Sequence, residues 1–366
     1  MKQFYLPGNC GKLVLKENVL ALLSDIELIT VSSAIYNGGF KKVKAILNVQ
    51  VPEEYSDRVL HENPQRFMID SAKKLGLSEN FTGMITAAAV DKFALVSKKE
   101  GDLAVTVSAT AVDPEGDTCS HAESAGETID NEESAGTINI IVIIDGNPTE
   151  SCLISTLITA TEAKTAALLE LDIRSRYSGD VATGTVTDSM IVAKTKRGKK
   201  IVYGGPASNL GQIVSYCTRK AVKKAVKKAR GYLPRRSILD RLCERHLPLE
   251  KLLCELTKID GLKVDRMDLA KLLGNEPLLA SALLAATKID EDIKNELIPS
   301  EFKNISELSE EFGVLFSKKG CESAKTSIEK SNRDHYSAID LPPFIKQVMI
   351  NIVKSTLSKE VIENLK

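Results

Sequence analysis

The pattern of apolar and polar residues changes character near residue 233. Before that point, short segments rich in Val, Ile and Thr alternate with segments of helical periodicity. After Leu233–Arg236, glycine becomes scarcer, and Leu, Lys and Glu recur at helical spacing. We therefore predict an α/β or α+β domain over residues 1–233, with a mixed sheet core and packed helices, followed by a helical appendix of unknown role over residues 237–366.

The most regular strand pattern and the most regular helix pattern are adjacent. A near-continuous apolar run over Thr137–Asp145, rich in β-branched residues, is typical of a central strand covered on both faces. Asn147, Pro148 and Glu150 then suit the N-cap, the first helical position and the N3 position of a helix. We predict a helix over Pro148–Ile173 that packs on this strand.

The predicted helix returns to the amino end of the strand. At a rise of about 1.5 Å per residue, Glu162 lies about 21 Å and Lys164 about 24 Å from the helix start, which brings both near Thr137 and Asn139. On a helical wheel, Glu162 lies at the edge of the apolar stripe and Lys164 lies inside it. Lys164 therefore either extends its amine along the surface to water or serves as a base or hydrogen-bond donor.

A threonine-rich segment follows at Val181–Asp188. Alternation predicts a strand with Asp188 on one face and the threonines on the other, unless a bulge intervenes. The threonines are Thr183, Thr185 and Thr187. If this strand is parallel to the first, its start lies at the same end as Thr137, and Gly184 lets a ligand approach the backbone. Alternatively, the segment is an ordinary β-branched strand, and Asp188 is a turn or cap residue.

Charge and cysteine usage argue against several classes of function. The chain has 49 basic and 49 acidic residues, so no net field draws it to nucleic acid or to an anionic membrane. The lysines of Arg219–Arg230 surround a stripe of small apolar residues, which is typical of a solvated helix face. Seven cysteines and four histidines without metal-ligand spacing predict neither a metal site nor a disulfide framework, and Cys152 is interpreted as a core residue.

Hydropathy and local charge bear on location and on one loop. The apolar runs Ala135–Ile144 and Pro277–Thr287 fall short of the roughly 20 residues that a bilayer requires, and the first residues lack a signal-peptide core. We expect a cytoplasmic protein without a membrane partner. The segment over residues 113–133 holds eight acidic residues and neither Lys nor Arg, a composition that predicts a mobile, solvated loop.

Several short blocks along the first domain carry a further signal. They are Ser32–Gly39, Asn48–Val49, Gly83–Ala88, Ser108–Ala111, Gly136–Asn139, Thr161–Lys164 and Ala182–Asp188. In this order they resemble the signature blocks of the adenosylcobinamide amidohydrolase family, over most of the first domain. Two features depart from the family pattern, since the acidic loop is longer than the pattern requires and the helical region after residue 233 lies outside the recognised core.

The resemblance implies an enzyme of corrinoid (cobalamin) salvage, of the kind found in archaea and some bacteria. Such an enzyme hydrolyses the amide between the ring propionate of adenosylcobinamide and its aminopropanol arm, giving adenosylcobyric acid and aminopropanol. The corrinoid is then the substrate, and no separate cofactor or metal is expected. The C-terminal helices could support a homo-oligomer or a protein partner. The alternative function is a non-catalytic corrinoid-binding or delivery protein.

Amide hydrolysis requires an attacking oxygen, a site for the oxyanion and a proton for the leaving amine. The residues predicted to supply these parts are Thr137, Asn139, Glu162 and Lys164. The residues predicted to bind the substrate are Asn37, Gly38, Gly39, Thr183, Gly184, Thr185 and Asp188. Of these, the turn at residues 37–39 is also a second candidate for the oxyanion site.

The sequence leaves two mechanisms open. In the preferred one, Glu162 activates a water molecule that attacks the amide. The other rests on a fainter likeness to amidohydrolases of the ornithine acetyltransferase type, which cleave their own chain just before a Thr or Ser. In that mechanism Thr137 is the nucleophile, and the loop before it is the segment that is cut.

Overall fold

A computed structural model describes residues 2–7, 10–52, 63–112, 118–119, 137–175, 178–231, 236–257, 277–298, 344–346 and 348–350. The chain divides into two compact units, Met1–Leu233 and Pro234–Lys366. Of the acidic loop, only Thr118 and Cys119 fall within these ranges. The predicted mobility of that loop therefore concerns residues outside the described part of the chain.

The described residues of the first unit form a large sheet, two small ones and three α-helices. Its strands are β1 (Lys2–Tyr5), β2 (Lys12–Lys16), β3 (Val19–Ser32), β4 (Gly39–Gln50), β5 (Phe81–Thr86), β6 (Ala94–Glu100), β7 (Leu103–Ala111), β8 (Thr118–Cys119), β9 (Ile138–Asp145), β10 (Asn147–Pro148), β11 (Gly184–Thr185), β12 (Ser189–Lys194) and β13 (Lys200–Ile201). Its helices are α1 (Pro64–Lys74), α2 (Glu150–Glu170) and α3 (Asn209–Arg230), with a short 3-10 helix at Val90–Lys92.

The large sheet is mixed, as predicted. Its strand order is β1-β2-β3-β12-β9-β7-β6, and β4 and β5 extend it from the other edge of β3. β9 is parallel to β12, with Asn139 opposite Ser189, and antiparallel to β7. The prediction that residues 137–145 form a central strand is confirmed, because β9 has a neighbour on each side.

Three buried apolar clusters define the order of the layers. The first cluster fills the space between the helices α2 and α3 and one face of strands β7, β9 and β12. The second cluster lies between the opposite face of β9 and β12 and the strands β2–β4. The third cluster lies between β4, β5 and α1. Representative members are, in that order, Val142 and Leu153, Ile46 and Ile141, and Met68 and Phe81. The unit is therefore layered helix, sheet, sheet, helix.

β9 is apolar from Ile140 to Ile144 because both of its faces are buried there. Ile140, Val142 and Ile144 face the helices, whereas Ile141 and Ile143 face the second layer of strands. Asn139 shares the parity of the latter pair and so points between the two layers of sheet. The helix that follows brings the chain back along the strand, as predicted, and β12 then begins beside the start of β9.

Two predicted element boundaries are wrong. Asn147 and Pro148 do not begin the helix, because they form β10 and pair in parallel with Lys200 and Ile201. The N-cap of α2 is Thr149, whose hydroxyl accepts a hydrogen bond from the amide of Cys152 at 3.2 Å. The helix ends at Glu170, with Leu171 as its C-cap, before the predicted end at residue 173.

The segment over residues 181–188 is not a strand of the large sheet. Only Gly184 and Thr185 are extended, as β11, and they pair antiparallel with Cys119 and Thr118 of β8. The strand parallel to β9 begins one residue after the segment, at Ser189. The alternating threonines therefore belong to a connection rather than to a strand. Because this connection turns, residues that alternation would place on opposite faces contact each other.

α2 is the one described helix that is long and apolar enough to cross a membrane. Half of that apolar stretch is buried inside the protein. The apolar composition of α2 is accounted for by its packing on the first cluster, which contains Cys152, Leu153, Ala160 and Leu168.

The second unit is helical, as predicted, over the residues that are described. Its helices are α4 (Ile238–Cys243), α5 (Leu249–Thr257) and α6 (Pro277–Lys294). Ser237 and Asp240 form a capping box at the start of α4. The carboxylate of Asp290 accepts hydrogen bonds from the amides of Phe344 and Ile345 at 3.0 and 2.9 Å, which caps the helical residues that follow.

Candidate active site

Thr137 lies at the amino end of β9 and is 3% exposed. Its Oγ1 atom is 2.6 Å from Oγ1 of Thr187. The next amide along the chain, that of Ile138, donates to Oδ1 of Asp188 at 2.9 Å. The start of β9 is thus hydrogen-bonded to the connection that precedes β12.

Asp188 collects three donors from three parts of the chain. Besides the amide of Ile138, its carboxylate accepts from the hydroxyl of Thr185 and from Nζ of Lys164. Lys164 is 8% exposed, so its ammonium forms a largely desolvated ion pair. Charge-assisted hydrogen bonds of this kind fix the relative positions of their partners. We call Thr137, Lys164, Thr185, Thr187 and Asp188 the Thr137 cluster.

Gly184 makes room for this ion pair. A Cβ atom at that position would lie 2.5 Å from Oδ2 of Asp188 and 2.6 Å from Nζ of Lys164, closer than real Cβ atoms approach other atoms. The chain beside it is anchored to α2, because the hydroxyl of Thr165 donates to the carbonyl oxygen of Thr183 at 3.0 Å. Thr183 itself is exposed.

Glu162 lies on the opposite side of α2 from Lys164. Two residues along a helix rotate a side chain by about 200°, so the inward position of Lys164 turns Glu162 outward. Glu162 is exposed and makes no hydrogen bond or ion pair with any residue that the structure describes. The structure therefore links Lys164, through Asp188, to the residue that follows Thr137 and leaves Glu162 at the surface.

Asn139 joins the two layers of sheet below Thr137. Its amide group donates to Oδ1 of Asn48 at 2.8 Å and to the carbonyl oxygen of Ile85 at 2.9 Å, which uses both of its N–H bonds. Asn48 in turn donates to Thr110 at 2.9 Å. Asn139 is 1% exposed, so this arrangement leaves its amide no hydrogen for a substrate oxyanion.

The predicted oxyanion turn at residues 37–39 is held on β5. The side-chain amide of Asn37 donates to the carbonyl oxygen of Phe81 at 2.9 Å, and Thr82 donates to the carbonyl oxygen of Asn37 at 3.0 Å. Asn37 and Gly39 have φ angles of 50° and 72°, and a Cβ atom on Gly38 would lie 2.4 Å from the carbonyl oxygen of Ala34. These contacts make a tight turn, and none of them is to the Thr137 cluster.

Three residues at the cluster were not among the predicted site residues: Thr187, Ser33 and Ser189. Oγ of Ser33 is 3.2 Å from Oγ of Ser189 and accepts from the amide of Met190 at 3.1 Å. The family-like blocks contained Thr187 and Ser33, which was the available signal. Ser189 carries no comparable signal, because only the parallel pairing of β12 with β9 places it here.

The thiol of Cys152 is not suited to act as a nucleophile. Cys152 is fully buried, and burial raises the pKa of its thiol above the usual range. A protonated, inaccessible thiol is unreactive. In the described residues, no three His, Cys, Asp or Glu side chains are grouped so that they could hold a metal ion.

The carboxyl end of β9 is occupied by structural contacts. Open parallel sheets usually bind ligands at that end. Here Asp145 accepts from the hydroxyl of Thr195 at 2.8 Å and lies 3.6 Å from the guanidinium of Arg197. The polar groups near Thr137 instead lie at the amino end of the strand.

Comparison with known sequences identifies relatives of the first unit. Residues 11–234 match the family model described as adenosylcobinamide amidohydrolase. An adenosylcobinamide amidohydrolase of Methanosarcina mazei is 28% identical over 218 residues, which are 57% of this chain and 94% of the relative. An uncharacterised protein of Methanocaldococcus jannaschii is 32% identical over 204 residues, which are 51% of this chain and 77% of the relative.

The matches among solved structures are more distant. A β-aminopeptidase of a Burkholderia species covers 61% of this chain and 82% of its own, with a TM-score of 0.31 and 10% identity. An L-aminopeptidase D-Ala-esterase/amidase of Ochrobactrum anthropi, described as a variant of the Ntn hydrolase fold, covers 61% and 79%, with a TM-score of 0.26 and 12% identity. Similarity at this level carries no inference about chemistry.

Proposed function

Because the chain belongs to the adenosylcobinamide amidohydrolase family, we propose that it hydrolyses adenosylcobinamide to adenosylcobyric acid and aminopropanol. Family membership supports an amide-cleaving hydrolase in general. The observation that carries the proposal is the Thr137 cluster, which lies within the matched region and groups the buried hydroxyl of Thr137, paired with that of the exposed Thr187, with a largely desolvated ion pair. Such a group is suited to acyl transfer.

In this proposal Thr137 is the nucleophile. Its Oγ1 atom adds to the amide carbonyl carbon of the ring propionate and forms a tetrahedral intermediate. The C–N bond then breaks, aminopropanol leaves with a proton on its nitrogen, and an ester of Thr137 remains. Water hydrolyses that ester, which releases adenosylcobyric acid and restores the hydroxyl. The support for Thr137 over Glu162 is their placement, since Glu162 faces solvent.

The neighbours of Thr137 have separate roles in this scheme. Thr187, at 2.6 Å, orients the hydroxyl of Thr137 and relays its proton. The ammonium of Lys164 stabilises the negative charge that develops on the carbonyl oxygen, in a position fixed by Asp188. Hydrolysis of the peptide bond before Thr137 consumes one water molecule, leaves a carboxylate on residue 136 and frees the α-amino group of Thr137, which then serves as the general base.

The test is incubation of the full-length protein with adenosylcobinamide, followed by mass spectrometry of the small molecules and of the protein. We expect aminopropanol and adenosylcobyric acid in equal amounts from the wild type and neither from Thr137→Ala. Tight binding of adenosylcobinamide without release of aminopropanol would instead identify a corrinoid-binding protein. Release from the Thr137→Ala variant at the wild-type rate would retain the function and refute the nucleophile.

A further inference from the structure

Two aliphatic side chains are exposed beside the Thr137 cluster. Ile35 is 51% and Val186 40% exposed. Single exposed apolar residues are common on protein surfaces and need no explanation by themselves. The exposure of Ile35 and Val186 calls for an explanation because each residue lies on a segment whose shape is fixed by hydrogen bonds. The two segments also contact each other next to the Thr137 cluster.

Val186 lies on a turn whose shape is set by its neighbours. Thr185, before it, donates to Asp188, and Thr187, after it, contacts Thr137. Both neighbouring side chains are thus engaged in the cluster. Val186 remains partly exposed between them and has little freedom to fold inward.

Ile35 lies on an equally constrained segment. The amide and carbonyl groups of Tyr36, the next residue, exchange two hydrogen bonds with Gly83 at 3.1 and 3.0 Å. The ring of Tyr36 stacks on that of Phe81, with 4.4 Å between the ring centroids. Burial, and secondarily the carboxylate of Glu79, raises the pKa of the Tyr36 phenol, so the stacked ring stays neutral. Ile35 is therefore held in an exposed position.

A pair of serines connects the two segments. Ser33, two residues before Ile35, lies 3.2 Å from Ser189, three residues after Val186, between their Oγ atoms. Chain length alone keeps the Cα atom of Ile35 within about 7 Å of that of Ser33, and the Cα atom of Val186 within about 11 Å of that of Ser189. We call Ser33, Ile35, Val186 and Ser189 the rim. The rim is a set of hydroxyl groups flanked by aliphatic groups, next to the nucleophile.

The geometry points to the rim as the recognition surface for the corrin ring of the substrate, an inference that rests on the proposed function. A corrin ring presents apolar faces and a border of amide groups. Ile35 and Val186 pack against an apolar face, and the hydroxyls of Ser33 and Ser189 bond to border amides. Because the rim is held rigid before binding, little conformational entropy is lost when the ligand arrives.

This assignment separates the ring from the arm that is cleaved. The rim contacts the ring in substrate and product alike, whereas the Thr137 cluster acts on the amide alone. Loss of a rim contact therefore weakens binding of both molecules and leaves the chemical step unchanged, so KM rises at constant kcat. A loss of general stability would not give this pattern.

The experiment compares Ile35→Thr and Val186→Thr with the control Ile158→Thr in the full-length protein. Threonine keeps the β-branched shape and replaces a methyl group of Val, or the ethyl group of Ile, with a hydroxyl. Ile158 is 53% exposed on the outer face of α2 and belongs to neither the cluster nor the rim. We measure KM and kcat for adenosylcobinamide, and Kd for adenosylcobyric acid by calorimetry. Each rim variant should raise KM and Kd about three- to tenfold at unchanged kcat, and the control should change neither.

The outcomes distinguish the rim from the proposed reaction. If the wild type releases aminopropanol but both rim variants keep the wild-type KM and Kd, the rim assignment is wrong and the function stands. If the wild type binds adenosylcobyric acid without turning over adenosylcobinamide, and the rim variants weaken that binding, the rim stands and the function does not. Absence of both turnover and binding in the wild type overturns both.

Discussion

The carboxylate of Asp188 is the point at which β9, α2 and the turn before β12 meet. It accepts from a backbone amide, a hydroxyl and an ammonium group at once. An unpaired buried ammonium is costly, so Lys164 and Asp188 depend on each other. Thr137 stands one residue from the amide in this network. Its backbone is therefore held in place by contacts that do not involve its hydroxyl, which is oriented separately by Thr187.

The first prediction concerns the order of two variants. Thr137→Ala should lower turnover of adenosylcobinamide by roughly 100-fold or more, because it removes the attacking oxygen, whereas Glu162→Gln should stay within about twofold of the wild type. Steady-state kinetics with each purified variant measures this order. Thr137→Ser keeps a hydroxyl and serves as the control. A 100-fold loss in Glu162→Gln with a mild effect of Thr137→Ala would return the role to water activated by Glu162.

The covalent scheme also predicts two masses. A chain break before residue 137 gives two fragments of the protein, and acid quenching of the wild type during turnover should trap a corrinoid ester on the fragment that begins at residue 137. Mass spectrometry of the intact protein and of its peptides detects both. An unbroken chain with full activity would show that the base is a group other than the α-amine of Thr137.

A second prediction tests the space beside the ion pair. Gly184→Ala places a Cβ atom 2.5 Å from Asp188 and 2.6 Å from Lys164. Both contacts are to side-chain ends that can move, so we expect a loss of about 1 kcal/mol in unfolding free energy but at least a tenfold fall in kcat. Gly205→Ala is the matched control, because its added Cβ meets no atom within 4 Å. Equal activity of the two variants would mean that the ion pair does not position the site.

At the scale of elements, the start of α2 shows where local sequence signals fail, because a pairing with a distant strand changes the position of the N-cap. Thr149 caps the helix, although Asn147 and Pro148 carry the stronger sequence signal. Thr149→Ala should lower the unfolding free energy by about 1 kcal/mol, the usual cost of losing a cap, and Asn147→Ala should cost less than half of that. Denaturant unfolding of the two variants measures the difference. A larger loss in Asn147→Ala would argue that the cap is at residue 147.

The elements that the sequence predicts correctly are those whose pattern is set by residues close together in the sequence. β9 is recognisable because burial on both faces removes every polar residue from Ile140 to Ile144. The return of α2 to the start of β9 follows from helix rise alone. By contrast, the pairing of Lys200 and Ile201 with residues 147–148 joins segments about fifty positions apart, and no local pattern reveals it.

The same distinction explains the site. Helical periodicity places Lys164 inside the apolar stripe, but the choice between Lys164 and Glu162 requires the position of Asp188. Alternation along residues 181–188 predicts opposite faces for Thr185 and Asp188. In the structure they hydrogen-bond to each other, because the segment turns instead of continuing as a strand. Thr185 and Thr187 are thus near Thr137, as predicted, but because the segment turns and not because it is a strand beside β9.

At the scale of the whole molecule, the first unit contains what the proposed reaction requires. Its three apolar clusters draw on no residue beyond Val226, and the family match ends at residue 234. The Thr137 cluster and the rim lie between residues 33 and 189. The second unit begins at Pro234, and none of its described residues belongs to these sets.

Truncation after residue 233 should therefore leave hydrolysis intact. The shortened chain keeps all three of these clusters, so it should unfold cooperatively and turn over adenosylcobinamide with kcat/KM within about twofold of the full chain. Circular dichroism during thermal unfolding checks the fold, and aminopropanol release checks the activity. A truncated protein that is folded but inactive would show that the helices complete the site, whereas a folded, active one assigns them to another role, such as a contact with a second protein.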